Sequence, residues 1–157
     1  MTDTTFSQNL IKGKVAEMIF EQMLRDAGGF TVLGFGYEKI LPELARRQDS
    51  VEAERTMEII RRAPDFAVIK HDNNKVYLIE VKYMRALKEH WVKSAAEKML
   101  ASWDPSYLFI ATPDGFYFDA AKKVTENEGR IDPLNNESIS QELQDSYLKV
   151  LKTFINM

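Results

Sequence analysis

Cysteine is absent from the 157 residues, which removes disulfides, thiolate nucleophiles and thiolate-bound metals from consideration. A chain with no disulfide to form gains nothing from an oxidising compartment, and a reducing cytoplasm is the expected location. No apolar run approaches the ~20 residues needed to cross a bilayer, so no membrane partner is expected. Residues 1–8 are polar and lack the basic-then-apolar pattern of a secretion signal. Histidine is scarce: His71 falls in a turn and His90 on a helix, and surface placement is expected for both. There is no repeat and no low-complexity segment. The length suits one domain with a real core and is short for two, so residues 1–157 are read as a single domain.

An excess of charge of one sign is also missing. The net charge is −3, which by itself points to no polyanionic partner. Its distribution is less even than its sum. From Lys82 to Lys98 five Lys/Arg stand against two Glu, whereas from Asp119 to Asp145 seven acids stand against three bases. One basic face can serve nucleic acid on an acidic protein. Scattered solvated charge accounts equally well for either cluster alone.

What is present is a regular alternation of elements. Leu10–Ala27 carries Gly13, Ala16, Ile19, Phe20, Met23, Leu24 and Ala27 on one helical stripe, and Gly28-Gly29 stops it. Phe30–Ile40 is rich in strand formers, with Gly34 and Gly36 suggesting a bulge or a close backbone approach. Pro42–Ala63 is highly charged and is read as a loop followed by a helical insertion ending at Pro64. Phe66–Ile69 and Val76–Tyr83 are two strands joined by the turn His71–Asn74. Leu87–Ser102 returns to helical spacing with Trp91, Val92, Ala95 and Met99 as its apolar stripe. Strands follow at Tyr107–Ala111 and Phe116–Phe118, then a polar loop over Glu126–Glu137. Ser138–Ile155 closes the chain as a helix capped by Ser138, with Ile139, Leu143, Tyr147, Val150, Leu151 and Phe154 facing inward.

The chemistry concentrates in Pro64-Asp65 and in Glu80-Val81-Lys82. Alternation along the second strand puts Val76, Leu78, Glu80 and Lys82 on one face and Tyr77, Ile79, Val81 and Tyr83 on the other. Both faces begin apolar, as in a central strand covered on both sides, so Glu80 and Lys82 fall where burial should continue. Buried charge is costly unless it is paired or bound to metal. Such a lapse in patterning is expected at a functional site. Antiparallel pairing through the turn brings Asp65 near the end of the strand that holds Glu80 and Lys82. Two converging carboxylates form a hard-oxygen site suited to Mg²⁺ or Mn²⁺. A cation there lowers the pKa of bound water and stabilises charge on a phosphoryl oxygen, and a neighbouring lysine can orient or deprotonate that water. Burial beside cations would favour the base role.

These residues resemble the Pro-Asp…(Asp/Glu)-x-Lys signature of the PD-(D/E)xK nuclease superfamily, which includes many restriction enzymes and archaeal-type Holliday junction resolvases. In this chain it stands as Pro64-Asp65, fourteen residues, then Glu80-Val81-Lys82. The resemblance implies an α/β fold with a restriction-endonuclease-like core of helix, three strands, helix and strand. Residues 10–111 can be laid over that core with one helical insertion, leaving a C-terminal helix outside a central mixed sheet flanked by helices. It also implies that Glu17, in Gly13-Lys14-Val15-Ala16-Glu17, completes the metal site as in the resolvase-like subset, with Glu21 a weaker match further into solvent. The Val81 carbonyl would be a further ligand. The expected activity is hydrolysis of DNA phosphodiesters, with DNA preferred to RNA only as the commoner substrate of the superfamily, and with pairing into a homodimer where both strands are cut. The additional Lys, Gln or Tyr residues that many members carry after the lysine strand have no clean match. Lys88, Lys93 and Trp91 could serve, and Arg61 and Arg62, like Arg46 and Arg47, could meet a nucleic-acid backbone.

Blander readings compete. Asp65 could cap local amides after Pro64. Glu80 and Lys82 could be an exposed cross-strand pair. Glu17 could be an ordinary helix-flank carboxylate, the arginine pairs a solvated helix face, and Trp91 a core residue rather than a stacking platform. At the level of function the rivals are a non-cleaving nucleic-acid-binding module on the same scaffold, and a protein-interaction domain using the acidic stretch Asp119–Asp145.

Overall fold

In a computed structural model that describes residues 3–36 and 51–156, the chain forms a five-stranded mixed sheet flanked by helices, an α/β arrangement. The elements in order are α1 (Asp3–Ala27), β1 (Phe30–Gly34), α2 (Val51–Arg61), β2 (Phe66–Lys70), β3 (Lys75–Tyr83), α3 (Glu89–Leu100), β4 (Tyr107–Thr112), β5 (Gly115–Ala120), α4 (Ala121–Glu126) and α5 (Gln141–Ile155). The strands lie in sequence order. Pairing is antiparallel throughout except between β3 and β4, which are parallel because α3 intervenes as a crossover.

The expected α1 stripe is the core stripe: Ala16, Ile19, Phe20, Met23 and Leu24 are all buried. Gly28 and Gly29 end the helix at positive φ, where a side chain would be strained. β4 is apolar on both faces and divides the interior. Phe109 and Ala111 join α1, α5 and the inner face of β1–β3, with Phe20 packed on Phe66 and Phe109 at ring-centroid distances of 5.2 and 4.8 Å. Leu108 and Ile110 join Val92, Ala96 and Met99 of α3 and Ala121 and Val124 of α4 on the opposite face.

Several expectations need correction. The terminal helix begins at Gln141, and its cap is Ser140, whose Oγ accepts from Leu143 N at 3.1 Å. Ser138 lies upstream in a turn held by Asn136. Val150 and Phe154 of that helix are exposed, whereas Leu151 is fully buried. Within the stretch read as strand then polar loop, Ala121–Glu126 forms the short helix α4. In α3 the buried stripe is Val92, Ala96 and Met99, whereas Trp91 lies outside it at 49% exposure. β3 is central in the sheet, but it is not covered on both faces along its length: Val76, on the Glu80 face, is 54% exposed. The Tyr37–Ile40 end of the first predicted strand, and the loop from Pro42 with Arg46 and Arg47, lie outside the described residues.

Candidate active site

The pairing register builds an opening at one end of the sheet. β2 pairs with β3 only from Phe66↔Ile79 to Lys70↔Lys75, whereas β4 accompanies β3 onward from Ile79 to Tyr83. From Glu80 onward the β2-side edge of β3 therefore has no strand beside it, and Val81 N–H would be left without a partner. Asp65, one residue before β2, supplies one: its Oδ2 accepts from Val81 N at 2.8 Å. The N–H and C=O of a strand residue face the same neighbour, so the Val81 carbonyl is turned toward the same opening.

The backbone of Asp65 is fixed from the other side. Its carbonyl accepts from Phe35 N at 2.9 Å and Gly36 N at 3.2 Å, where the chain leaves β1. Gly36 lies against Asp65 closely enough that a Cβ there would stand 3.7 Å from the Asp65 Cα. This is the close approach the glycines suggested. The two amides themselves were not foreseen.

Three carboxyl groups converge at this point. Glu80 lies within hydrogen-bonding reach of Asp65, and so does Glu17. They arrive from opposite faces: Glu80 shares its face with Leu108 beneath α3, while Glu17 comes from α1, which covers the Ile79 and Val81 face. Burial first, then the hydrogen bond and the charge of Glu80, push the Asp65 carboxyl up to about 8; the Val81 amide and Glu17 pull the other way. The direction of this shift favours the protonated form of Asp65 beside Glu80. Among the described residues, no group of three or more His, Cys, Asp or Glu side chains is placed so that it could hold a metal ion.

Lys82 Nζ lies 3.7 Å from Glu80 Oε2, with its side chain 47% exposed while that of Glu80 is largely covered. The burial expected of this lysine is not found, because little of the fold covers the end of β3 on that face. A cleft of about 340 Å³ opens beside Asp65, lined by Lys14, Glu17, Met18, Glu21, Gly34, Gly36 and Phe66. Glu17 and Lys14 approach to 3.6 Å across one helical turn. Lys14 was not singled out from sequence, although its three-residue spacing from Glu17 placed both on one side of the helix. Glu21 is engaged by Arg25 at 2.9 Å and stands further out, as expected.

The four weaker candidates lie away from this cluster. Arg61 and Arg62 pair with Glu58 at 3.6 and 3.3 Å on exposed α2. Lys93 is held by Glu128 at 2.7 Å and by Glu97 at 3.9 Å. Lys88 is exposed, with Nζ 4.9 Å above the Trp91 ring. His71 is exposed and bonded to Thr31 Oγ1, and exposed His90 leans on Trp91.

No known protein-family description matches this chain, and no curated protein matches it.

Proposed function

We propose that this protein is a divalent-metal-dependent nuclease of the PD-(D/E)xK kind, hydrolysing DNA phosphodiesters. The observation that carries the reading is the meeting of Asp65, Glu80 and Glu17 at the fork where β2 leaves β3, beside Lys82. Carboxyls gathered around one partly buried point repel unless a proton or a cation lies among them; burial first and Glu80 second raise Asp65, and a bound cation would relieve both. An all-oxygen donor set without His or Cys fits Mg²⁺ or Mn²⁺ better than zinc. Asp65, Glu80 and the Val81 carbonyl would hold the ion, with Glu17 a direct or water-bridged ligand. Bound there, a divalent ion supplies Lewis acidity at the phosphate and a more acidic water.

The chain's own groups divide the remaining work. The Val81 amide and the two amides of Phe35 and Gly36 keep Asp65 in place, so the acids need not reorganise when substrate arrives. Lys82, half exposed and tethered by Glu80, reaches toward solvent, where a backbone phosphate would lie. Its exposure favours orienting water and neutralising phosphate over acting as a desolvated base. Cutting both strands would call for two copies.

The test is nicking of supercoiled plasmid. Purified protein should convert it to open circles with Mg²⁺ or Mn²⁺ and not with EDTA, and Asp65→Ala or Lys82→Ala should abolish the conversion. DNA binding without metal-dependent nicking would instead identify a non-cleaving module on this scaffold. Neither binding nor nicking would leave the protein-interaction reading.

A further inference from the structure

We infer that Trp91, with Lys88 over its ring, is a stacking platform for an unpaired nucleobase, so that the substrate carries a single-stranded segment. This rests on the nuclease reading and narrows its substrate class.

Sequence spacing assigns Trp91 to the apolar stripe of α3, yet that stripe runs through Val92, Ala96 and Met99 and leaves the indole 49% exposed. Leu87 is exposed beside it in sequence. An indole turned outward on a helix that already has a complete buried face contributes little to the core. Its surroundings are those of a site for an anion carrying an aromatic ring. Lys88 stands 4.9 Å over the ring, the His90 ring is 5.2 Å away and tilted by 56°, and Arg85 is exposed a few residues upstream.

Among the described residues neither Lys88 nor Arg85 takes part in an ion pair, whereas Lys93, Arg61 and Arg62 are engaged by glutamates. The Lys88 cation at Trp91 therefore remains available. When a base takes the ring, the flexible Lys88 ammonium can pass to the adjoining phosphate.

The platform also shares a face with the candidate site. Glu80 and Lys82 pair in register with Leu108 and Ile110 of β4, and those two residues are covered by the buried stripe of α3. Past Lys82 the chain stays on β4, Met84 N donating to Ala111 O, before it enters the turn that holds Arg85 and Lys88. The helix that carries the indole therefore lies on the Glu80 and Lys82 side of the sheet. Stacking requires a free base face, which a closed duplex does not offer, and it is blind to base identity.

The probe is fluorescein-labelled oligo(dT), followed by anisotropy in EDTA so that nothing is cut, with a fully paired, blunt-ended duplex of equal charge as comparison. The wild-type protein should prefer oligo(dT), and Trp91→Leu should weaken that binding about tenfold or more while leaving duplex binding and melting temperature unchanged. Trp91→Phe should recover most of the loss, because a ring is restored. Trp103→Phe leaves Trp91 as the only indole, and its emission should quench on titration with oligo(dT). Equal affinity of wild type and Trp91→Leu for oligo(dT), or a wild-type preference for the paired duplex, would overturn the inference even where plasmid nicking succeeds. Quenching and tenfold loss in a protein that never cuts would uphold the platform and defeat the nuclease reading alone.

Discussion

Replacing Asp65 by asparagine should stabilise the metal-free protein, and by more as the pH rises. An unfolded aspartate ionises near 3.8, whereas in the folded chain burial and Glu80 hold the proton on Asp65 until about 8. Between those values the unfolded state binds fewer protons than the folded one, so this group's contribution is full below about pH 4 and is lost as the pH climbs toward 8. Each unit is worth up to about 1.4 kcal/mol, an upper limit of about 4 kcal/mol at pH 7. The carboxyl is partly exposed, so about 2 kcal/mol is a sounder expectation. Asparagine mimics the protonated acid: its oxygen still accepts from Val81 N, and its NH₂ can donate to Glu80. For a chain of this length about 2 kcal/mol corresponds to roughly 4–8 °C in melting temperature. Thermal melts in EDTA at pH 5, 6, 7 and 8 should therefore show Asp65→Asn pulling ahead of wild type as the pH rises. With Mn²⁺ the order should reverse, because the ion stabilises the three-carboxyl site and binds the variant less well. A variant no more stable than wild type, or an advantage of the same size at every pH, would refute the reasoning.

Other expectations follow from the same geometry. Ser140→Ala should cost about 1 kcal/mol in chemical denaturation through loss of the bond to Leu143 N, and Ser138→Ala should be close to neutral. Gly129 sits at φ 92° with the Glu89 carbonyl oxygen 2.0 Å from where a Cβ would stand, so Gly129→Ala should lower stability by about 2 kcal/mol or more and loosen the start of α3. Tyr147 donates to Asp26, and that hydrogen bond, then burial, then the Asp26 charge push the phenol up to about 12. Ultraviolet titration should show one tyrosine ionising late, and Asp26→Asn should return it toward the ordinary value of about 10.

How far the sequence discloses this protein depends on what its periodicities encode. The α1 stripe, the glycine stop at 28–29, the 71–74 turn and the continuous apolar run of β4 are local signals, and each has its counterpart in the structure. The approach of Asp65 to Val81 was legible too, because a hairpin register converts sequence distance into space. Side-chain cover was not. The number of apolar residues on β3 says nothing about how far α3 reaches over it, so the burial expected for Lys82 and Val76 failed, and Trp91 was assigned to the wrong side of its helix. The cap at Ser140 was missed because Ser138 offers the same hydroxyl two residues earlier, and only the path of the chain through Ile139 decides between them. Glu17 was singled out by resemblance alone. Its position on the helix wheel is that of any flank carboxylate, and its meeting with Asp65 is a tertiary event.

The most direct test is to grow crystals with Mn²⁺ and locate the ion by its anomalous scattering. The account predicts a peak at the β2–β3 fork, touching the carboxylates of Asp65 and Glu80 and the Val81 carbonyl, with Glu17 bound directly or through one water. A saturating Mn²⁺ soak that leaves the fork without a peak, or puts the ion elsewhere with Asp65 and Glu80 still sharing a proton, would contradict it.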